Sequence, residues 1–249
     1  MRMEVLMVAA TTTADRAPVD PLRPLRTRWW QLRLPATFGY LAALVAVTAV
    51  FSALSESAQA RVVLHASTNL HNLLDGRVGT VLSSALVIGD VSAAWVLIPL
   101  LGCLLALAEL RFGAVHMVRV FLAGHIGATV LVAVGLWIAI EVDWLPASIR
   151  WAQDVGVSYG AMALVGAIVV AIPHRWRIAW ATVWFLVAAE GVLIEQTFTN
   201  VGHLLAFGIG TAVGFGMLRA KAASTRRLTR VESGLLAVSA FLAAILLMG

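Results

Sequence analysis

Two polar side chains at the starts of apolar segments are the first candidates for chemistry in this sequence. Ser158 lies between two glycines, Gly156 and Gly160, and His203 follows Gly202 near the start of a later apolar run. A serine hydroxyl becomes nucleophilic at neutral pH when a neighbouring base accepts its proton, and an imidazole suits that role. The pair predicts a Ser158–His203 catalytic dyad, with Gly156 and Gly160 leaving room around the serine.

The surroundings of the serine decide between two uses of the Gly-x-Ser-x-Gly pattern. In soluble hydrolases this pattern marks a turn between a strand and a helix, and no such alternation surrounds Ser158. In a membrane helix, small residues let neighbouring helices approach closely. We therefore expect the span that carries His203 to pack against the span that carries Ser158. The structural alternative is that the serine caps its helix and the histidine bonds a neighbouring carbonyl.

The composition of the chain is that of a membrane protein. Of the 249 residues, 61% are hydrophobic and 12% charged, with a mean hydropathy of +0.91, whereas soluble domains carry about 25% charged residues. The formal net charge of +5 comes from arginines clustered between apolar runs. Such clusters are typical of cytoplasmic loops rather than of nucleic-acid surfaces. We therefore predict an all-α, multi-pass bundle in the lipid bilayer of the cell membrane, with no nucleic-acid partner.

Apolar runs of about the 20 residues that a spanning helix needs divide the chain. We predict six spans and a short seventh, at residues 36–54, 93–110, 114–140, 155–172, 178–195, 201–218 and 234–248. Residues 1–33 are predicted to be a basic cytoplasmic tail, 34–218 the transmembrane domain, and 219–249 a basic loop with the possible seventh helix. The arginine-rich loops place the N terminus in the cytoplasm. Ser158 and His203 then lie near the extracytoplasmic side.

Over about residues 75–218 the pattern resembles the rhomboid intramembrane serine proteases. In that family the nucleophile begins the fourth core span in a Gly-x-Ser motif, and a glycine follows eight residues later, as Gly166 follows Ser158. The second core span ends in Glu-x-x-x-Gly, which matches Glu109 and Gly113. The sixth span carries the catalytic histidine among small residues, matched by Gly202, His203, Ala206 and Gly210. The resemblance implies a six-helix core and proteolysis of transmembrane protein substrates without a cofactor.

Several positions depart from the rhomboid pattern. The histidine and asparagine that help to bind the oxyanion in that family would fall near Ala93 and Leu97, which have no side-chain donor. Tyr159 stands where a glycine usually follows the nucleophile, and Met162 replaces the aromatic residue that stacks on the histidine. Loss of one oxyanion donor typically lowers the rate by about 100- to 1,000-fold. The backbone amide of Ser158 would remain.

Replacement oxyanion donors are a further hypothesis from the sequence. His125 and Thr129 lie one turn apart on the third span, and the first external loop contributes Asn69, His71 and Asn72. We expect His125 or Asn72 to stand in for the missing side chains. The structural alternative for His125 is a hydrogen bond between helices.

Three other function classes compete with the protease. The missing oxyanion side chains favour a catalytically inactive rhomboid-like protein that binds membrane helices. Glu190, inside a span, would suit an ion-coupled transporter, but the sequence has no inverted repeat. His116, His125 and His203 lie on different spans without a ligand pair one turn apart, so we predict no metal site.

Overall fold

The computed structural model describes residues 33–194, 196–220 and 226–248. Regular structure in these ranges is helical, as predicted. In chain order the α-helices are α1 Pro35–Ser52, α2 Glu56–Ala66, α3 Leu70–Leu74, α4 Thr80–Ser83, α5 Val91–Phe112, α6 Ala114–Glu141, α7 Ser158–Ile168, α8 His174–Ile194, α9 Phe198–Arg219 and α10 Arg230–Met248. The predicted cytoplasmic tail falls almost entirely on residues 1–32, which lie outside the described residues.

Among the described residues, five helices are long and apolar enough to cross a membrane: α1, α5, α6, α8 and α9. They correspond to the predicted spans 1, 2, 3, 5 and 6, and α10 covers the predicted seventh. The first external loop of the prediction contains the short helices α2, α3 and α4, followed by a 3₁₀ turn at Ser84–Leu86. The fold class is therefore the predicted helical membrane bundle.

The fourth predicted span, residues 155–172, forms a much shorter helix than the sequence indicated. Helix α7 covers only Ser158–Ile168, and Gly156 just before it has a φ of +127°. Such a φ stops a helix from extending toward the N terminus and favours glycine. Irregular backbone at membrane depth is tolerated where protein covers it. Hydropathy does not reveal where α7 begins, because the residues on both sides of that boundary are apolar.

Helix α7 lies at the centre of the bundle and is buried along its length. Leu164, Ala167 and Ile168 have no exposed surface. Helix α9 approaches it closely, since a Cβ at Gly210 would lie 2.0 Å from the carbonyl oxygen of Ala163. Close backbone approach of this kind is how small residues hold membrane helices together. Span 6 thus packs on span 4, as the small-residue pattern predicted.

The first loop holds the segment that precedes α7. The backbone N–H of Thr68 donates to the carbonyl oxygen of Asp154 at 2.9 Å, and the N–H of Gly156 donates to that of Ser84 at 3.0 Å. The Ser67 hydroxyl also accepts from the N–H of Asp154 at 2.8 Å. These bonds satisfy backbone groups that a helix would otherwise satisfy internally. The loop therefore fixes where α7 begins.

Two buried glutamates join helices at the end of the bundle opposite the start of α7. Glu109, near the end of α5, accepts from the N–H and the hydroxyl of Thr37 at 2.8 and 2.6 Å, which ties α1 to α5. Glu232 on α10 accepts from Arg226 at 2.6 Å and lies 3.8 Å from Arg111. Glu232 and Thr229 also form a reciprocal capping box at the start of α10. Helix α10 is therefore docked on α5 by charge as well as by apolar packing.

Candidate functional site

Ser158 and His203 line one cavity of about 370 Å³ inside the bundle. Helices α7 and α9 both begin at this end of the bundle, and α8 ends there, so the polar side chains near these three termini lie at a similar depth. Leucines of α5 form much of the apolar wall, and α10 contributes Ala243 and Leu246. A hydroxyl and an imidazole thus share a partly open, largely apolar cavity.

The position of Ser158 follows from where α7 begins. Ser158 is the first residue of the helix, and Val157 before it provides no side-chain cap. The first backbone N–H groups of any α-helix have no acceptor within the helix. They also lie at the positive end of the helix dipole, which favours a negative charge. The start of α7 thus combines a hydroxyl with backbone donors suited to an oxyanion.

The position of His203 depends on Tyr159, a residue whose role the sequence did not reveal. The Tyr159 ring meets the His203 ring edge to face, with centroids 5.5 Å apart. A Cβ at Gly202 would lie 2.3 Å from the Tyr159 ring, so only glycine admits the tyrosine there. Tyr159 is buried. It thus supplies the aromatic contact that the family pattern assigns to the position of Met162.

A signal for Tyr159 was present in the sequence. A bulky residue directly after the serine and a glycine directly before the histidine are complementary in size, and both lie on helices predicted to pack together. The rhomboid pattern instead predicts the aromatic residue four positions beyond the serine, at Met162. In the structure, Met162 lines the cavity rather than stacking on the histidine ring.

The two glycines that flank Ser158 have different uses from the predicted one. A Cβ at Gly160 would lie 2.3 Å from the ring of Phe121, so this glycine lets α7 approach α6 rather than α9. Gly156 serves through its backbone conformation, since a Cβ there would meet nothing within 4 Å. The contacts between α7 and α9 come from Gly166, Gly202, Gly210 and Gly214.

The structure places His125, the predicted oxyanion donor, away from the cavity that holds Ser158. His125 is 2% exposed and is not among the residues that line the cavity. Its Nε2 lies 2.8 Å from the carbonyl oxygen of Val81 and 3.2 Å from the hydroxyl of Ser84. The imidazole therefore joins α6 to the first loop, which is the structural alternative stated for it.

The side chain of Asn72 forms hydrogen bonds within the first loop. Its side-chain amide donates to the carbonyl oxygens of Leu64 and Ser67, both at 2.9 Å. Its backbone N–H is accepted by the side chain of Asn69, which caps α3. The side-chain donors of Asn72 are thus engaged within the first loop, and Asn72 does not line the cavity.

Three other side chains determine the polarity of the cavity wall. Leu97 lines it, at a position where the family pattern has a hydrogen-bond donor. Glu190 and Asn200 line it at the end where α8 stops and α9 begins. The Asn200 side-chain amide donates to the carbonyl oxygen of Gly191 at 3.0 Å, which joins these two helices beside the cavity. The cavity is therefore apolar along α5 and polar between α8 and α9.

Asp154 lies four residues before Ser158 in the loop that enters α7. Burial raises the pKa of its carboxyl from 3.8 to about 6, although the Thr68 hydroxyl opposes part of this rise. The Thr68 hydroxyl lies 3.2 Å from the carboxylate. We therefore expect the contact between the first loop and the start of α7 to be sensitive to pH.

Comparison with known proteins gives one result. The sequence profile of a family described as rhomboid-like protein matches residues 31–223, well over half of the chain. No curated protein and no solved structure matches significantly. Together with the five apolar helices, the family match shows a multi-pass membrane protein.

Proposed function

Because the chain belongs to the rhomboid-like protein family, we propose that it is an intramembrane serine protease with Ser158 as nucleophile and His203 as general base. The observation that carries this proposal is that both side chains line the same cavity. A serine and an imidazole that face the same largely apolar cavity are groups that can carry out acyl transfer. Transmembrane protein segments are the proposed substrates, and no cofactor is required.

The proposed reaction has two stages. His203 takes the proton of the Ser158 hydroxyl as its oxygen attacks the scissile carbonyl, and the protonated imidazole then donates to the leaving amine. A water molecule, activated by His203, hydrolyses the acyl-enzyme ester and restores the serine. Tyr159 orients the imidazole through its edge-to-face contact. Water would enter from the polar end of the cavity, near Asn200.

The tetrahedral intermediate would be stabilised mainly by backbone groups. The first amides of α7, beginning with Ser158, point along the helix axis toward the developing charge. Leu97 contributes no donor from the opposite wall of the cavity. Since one missing donor costs about 100- to 1,000-fold in rate, we propose a slow protease rather than an efficient one.

The second candidate is a catalytically inactive protein that binds membrane helices in the same cavity. The presence of Leu97 in the cavity wall favours it, because an apolar side chain suits an apolar ligand better than an oxyanion. The retained serine, histidine and aromatic contact favour the protease. Labelling of the serine distinguishes the two.

The deciding experiment is labelling by a fluorophosphonate probe of the full-length protein in membranes. We expect the wild type to be labelled and both Ser158→Ala and His203→Ala to lose labelling. Ser52→Ala and His116→Ala are matched controls, because neither residue lines the cavity. They should be labelled like the wild type. A folded wild-type protein that resists the probe would contradict the protease and favour the helix-binding function.

For the membrane arrangement, we propose the cell membrane with the N terminus in the cytoplasm. The support is the distribution of charge: arginines 175, 177, 219, 226, 227 and 230 all lie at the end of the bundle opposite Ser158. The positive-inside rule assigns that end to the cytoplasm. The cavity would then face the extracytoplasmic half of the bilayer.

A further inference from the structure

Glu190 gives the cavity an acidic side chain that neither the proposed dyad nor the fold requires. Its side chain lines the cavity with Ser158 and His203, one turn before the end of α8. Among the described residues that line this cavity, it is the only carboxylate, and neither lysine nor arginine is among them. Its side chain is exposed rather than packed into the bundle. The structure thus presents an acid to whatever enters the cavity.

A carboxylate at the position of Glu190 is energetically unfavourable in a membrane unless it pairs with a ligand or with another group. A carboxylate within a spanning helix is unfavourable in apolar surroundings, and such groups usually mark a binding or transport site. The acids that stabilise this fold behave differently: Glu109 and Glu232 are buried and accept hydrogen bonds from neighbouring helices and loops. Glu190 has no such contact among the described hydrogen bonds and ion pairs, so a structural role does not account for it.

We propose that this cavity selects transmembrane segments that carry a lysine or arginine near their extracytoplasmic end, and that Glu190 pairs with that cation. The inference rests on the proposed function, since it assumes that the cavity receives a transmembrane segment. The apolar wall of α5 residues would contact the segment's apolar side chains. Glu190, at the polar end, would meet a basic residue about one turn inside the segment's end.

Such a preference would favour a small subset of membrane proteins. Basic residues concentrate on the cytoplasmic side of transmembrane segments, so few segments carry one at the opposite end. A cation there also destabilises the segment in the bilayer. Pairing with Glu190 would relieve that cost only inside this cavity. Charge complementarity of this kind sets specificity more than total affinity.

The test measures binding rather than cleavage. Ser158→Ala protein in lipid nanodiscs is titrated with fluorescent peptides of about 20 apolar residues, which differ only in having Lys, Gln or Glu near the extracytoplasmic end. We expect the Lys peptide to bind about three- to fivefold more tightly than the Gln peptide. Glu190→Gln should remove this difference, and Glu190→Lys should make the Glu peptide the tighter ligand. Glu141→Gln, on α6 at the same end and outside the cavity, should leave the preference unchanged.

Equal binding of the three peptides, or an unchanged Lys preference in Glu190→Gln, would overturn the inference. A preference abolished by added phosphatidylethanolamine would also overturn it, since the carboxylate would then select lipid amines. These outcomes are independent of fluorophosphonate labelling. A Lys preference that depends on Glu190, together with a folded wild-type protein that resists the probe, would uphold the inference and reject the protease.

Discussion

At the residue scale, Leu97 is the side chain that bears most directly on the proposed stabilisation of an oxyanion. It lines the cavity that holds Ser158, and its side chain has no polar atom. We predict that Leu97→Asn accelerates probe labelling and substrate cleavage by about 10- to 100-fold, because it adds a donor where charge develops. Labelling rates in membranes measure this directly.

The control for that substitution is Leu97→Ala, which removes the same side chain without adding a donor. We expect no acceleration from it. If the alanine variant accelerates labelling as much as asparagine, Leu97 acts by blocking access to Ser158, and the oxyanion argument fails. Acceleration by neither variant would indicate that the backbone amides of α7 suffice or that the serine is inert.

The raised pKa of the buried Asp154 carboxyl predicts that the stability of the folded protein depends on pH. Burial raises the pKa of its carboxyl to about 6, above its unfolded value of 3.8. Its stabilising contribution is therefore complete below about pH 4 and is lost as the pH rises through 6. We expect the wild type in detergent to be more stable at pH 4.5 than at pH 7.5, by at most about 3 kcal/mol.

The thermal unfolding midpoint across this pH range checks the Asp154 prediction. Asp154→Asn should flatten the difference, since the amide does not titrate. Asp143→Asn is the matched control, because Asp143 is exposed and has a φ of 54°, which asparagine tolerates. An Asp154→Asn protein with the wild-type pH profile would assign the effect to another group.

The site could be predicted only in part from the residues themselves. The spacing of small residues around Ser158 and His203 predicted that their helices pack together, and the structure places both side chains at one cavity. The partners of His125 and Asn72 could not be predicted, because they are loop carbonyls distant in sequence. A backbone acceptor is present at every residue, so sequence gives no sign of which carbonyl a side chain will meet.

At the element scale, the contact between α7 and α9 depends on glycines at defined positions. A Cβ at Gly210 would lie 2.0 Å from the Ala163 carbonyl oxygen, whereas one at Gly208 would meet nothing within 4 Å. We predict that Gly210→Ala lowers the free energy of unfolding by about 1–3 kcal/mol through overpacking. Gly208→Ala should be neutral or slightly stabilising, because alanine favours helix.

Unfolding of the two variants in detergent, followed by circular dichroism, measures this contrast. Both substitutions add the same methyl group to the same helix, so a general effect of alanine cancels. Equal stabilities would mean that α9 can shift away from α7 without loss. Labelling of Ser158 should fall only in Gly210→Ala, since the shift would also move His203.

Elements differ in how well the sequence predicts them. Hydropathy located the long spans because burial in lipid requires continuous apolar residues. It placed the start of α7 too early, since Val155 and Val157 are apolar but lie in loop backbone held by Ser84 and Thr68. Where protein rather than lipid surrounds a segment, apolar composition no longer specifies helix.

At the scale of the whole molecule, α10 determines on which side the chain ends. It begins beside the buried Arg111 at one end of α5, and its residue Ala243 lines the cavity that holds Ser158 near the other end. A helix with these two contacts extends along the bundle from one end toward the other, and we predict that it is a seventh span. An odd number of spans would place the N and C termini on opposite sides of the membrane.

Reporter fusions test this topology on the full chain. Fusions to the C terminus should give active alkaline phosphatase and no fluorescence from green fluorescent protein, while fusions to the N terminus should show fluorescence. The matched control truncates the chain after Ala220, before α10, and should return the C-terminal reporter to the cytoplasm. Both termini on one side would show that α10 does not cross. Its residues could not then reach the cavity from the Arg111 end, and the cavity wall would have to be completed by lipid.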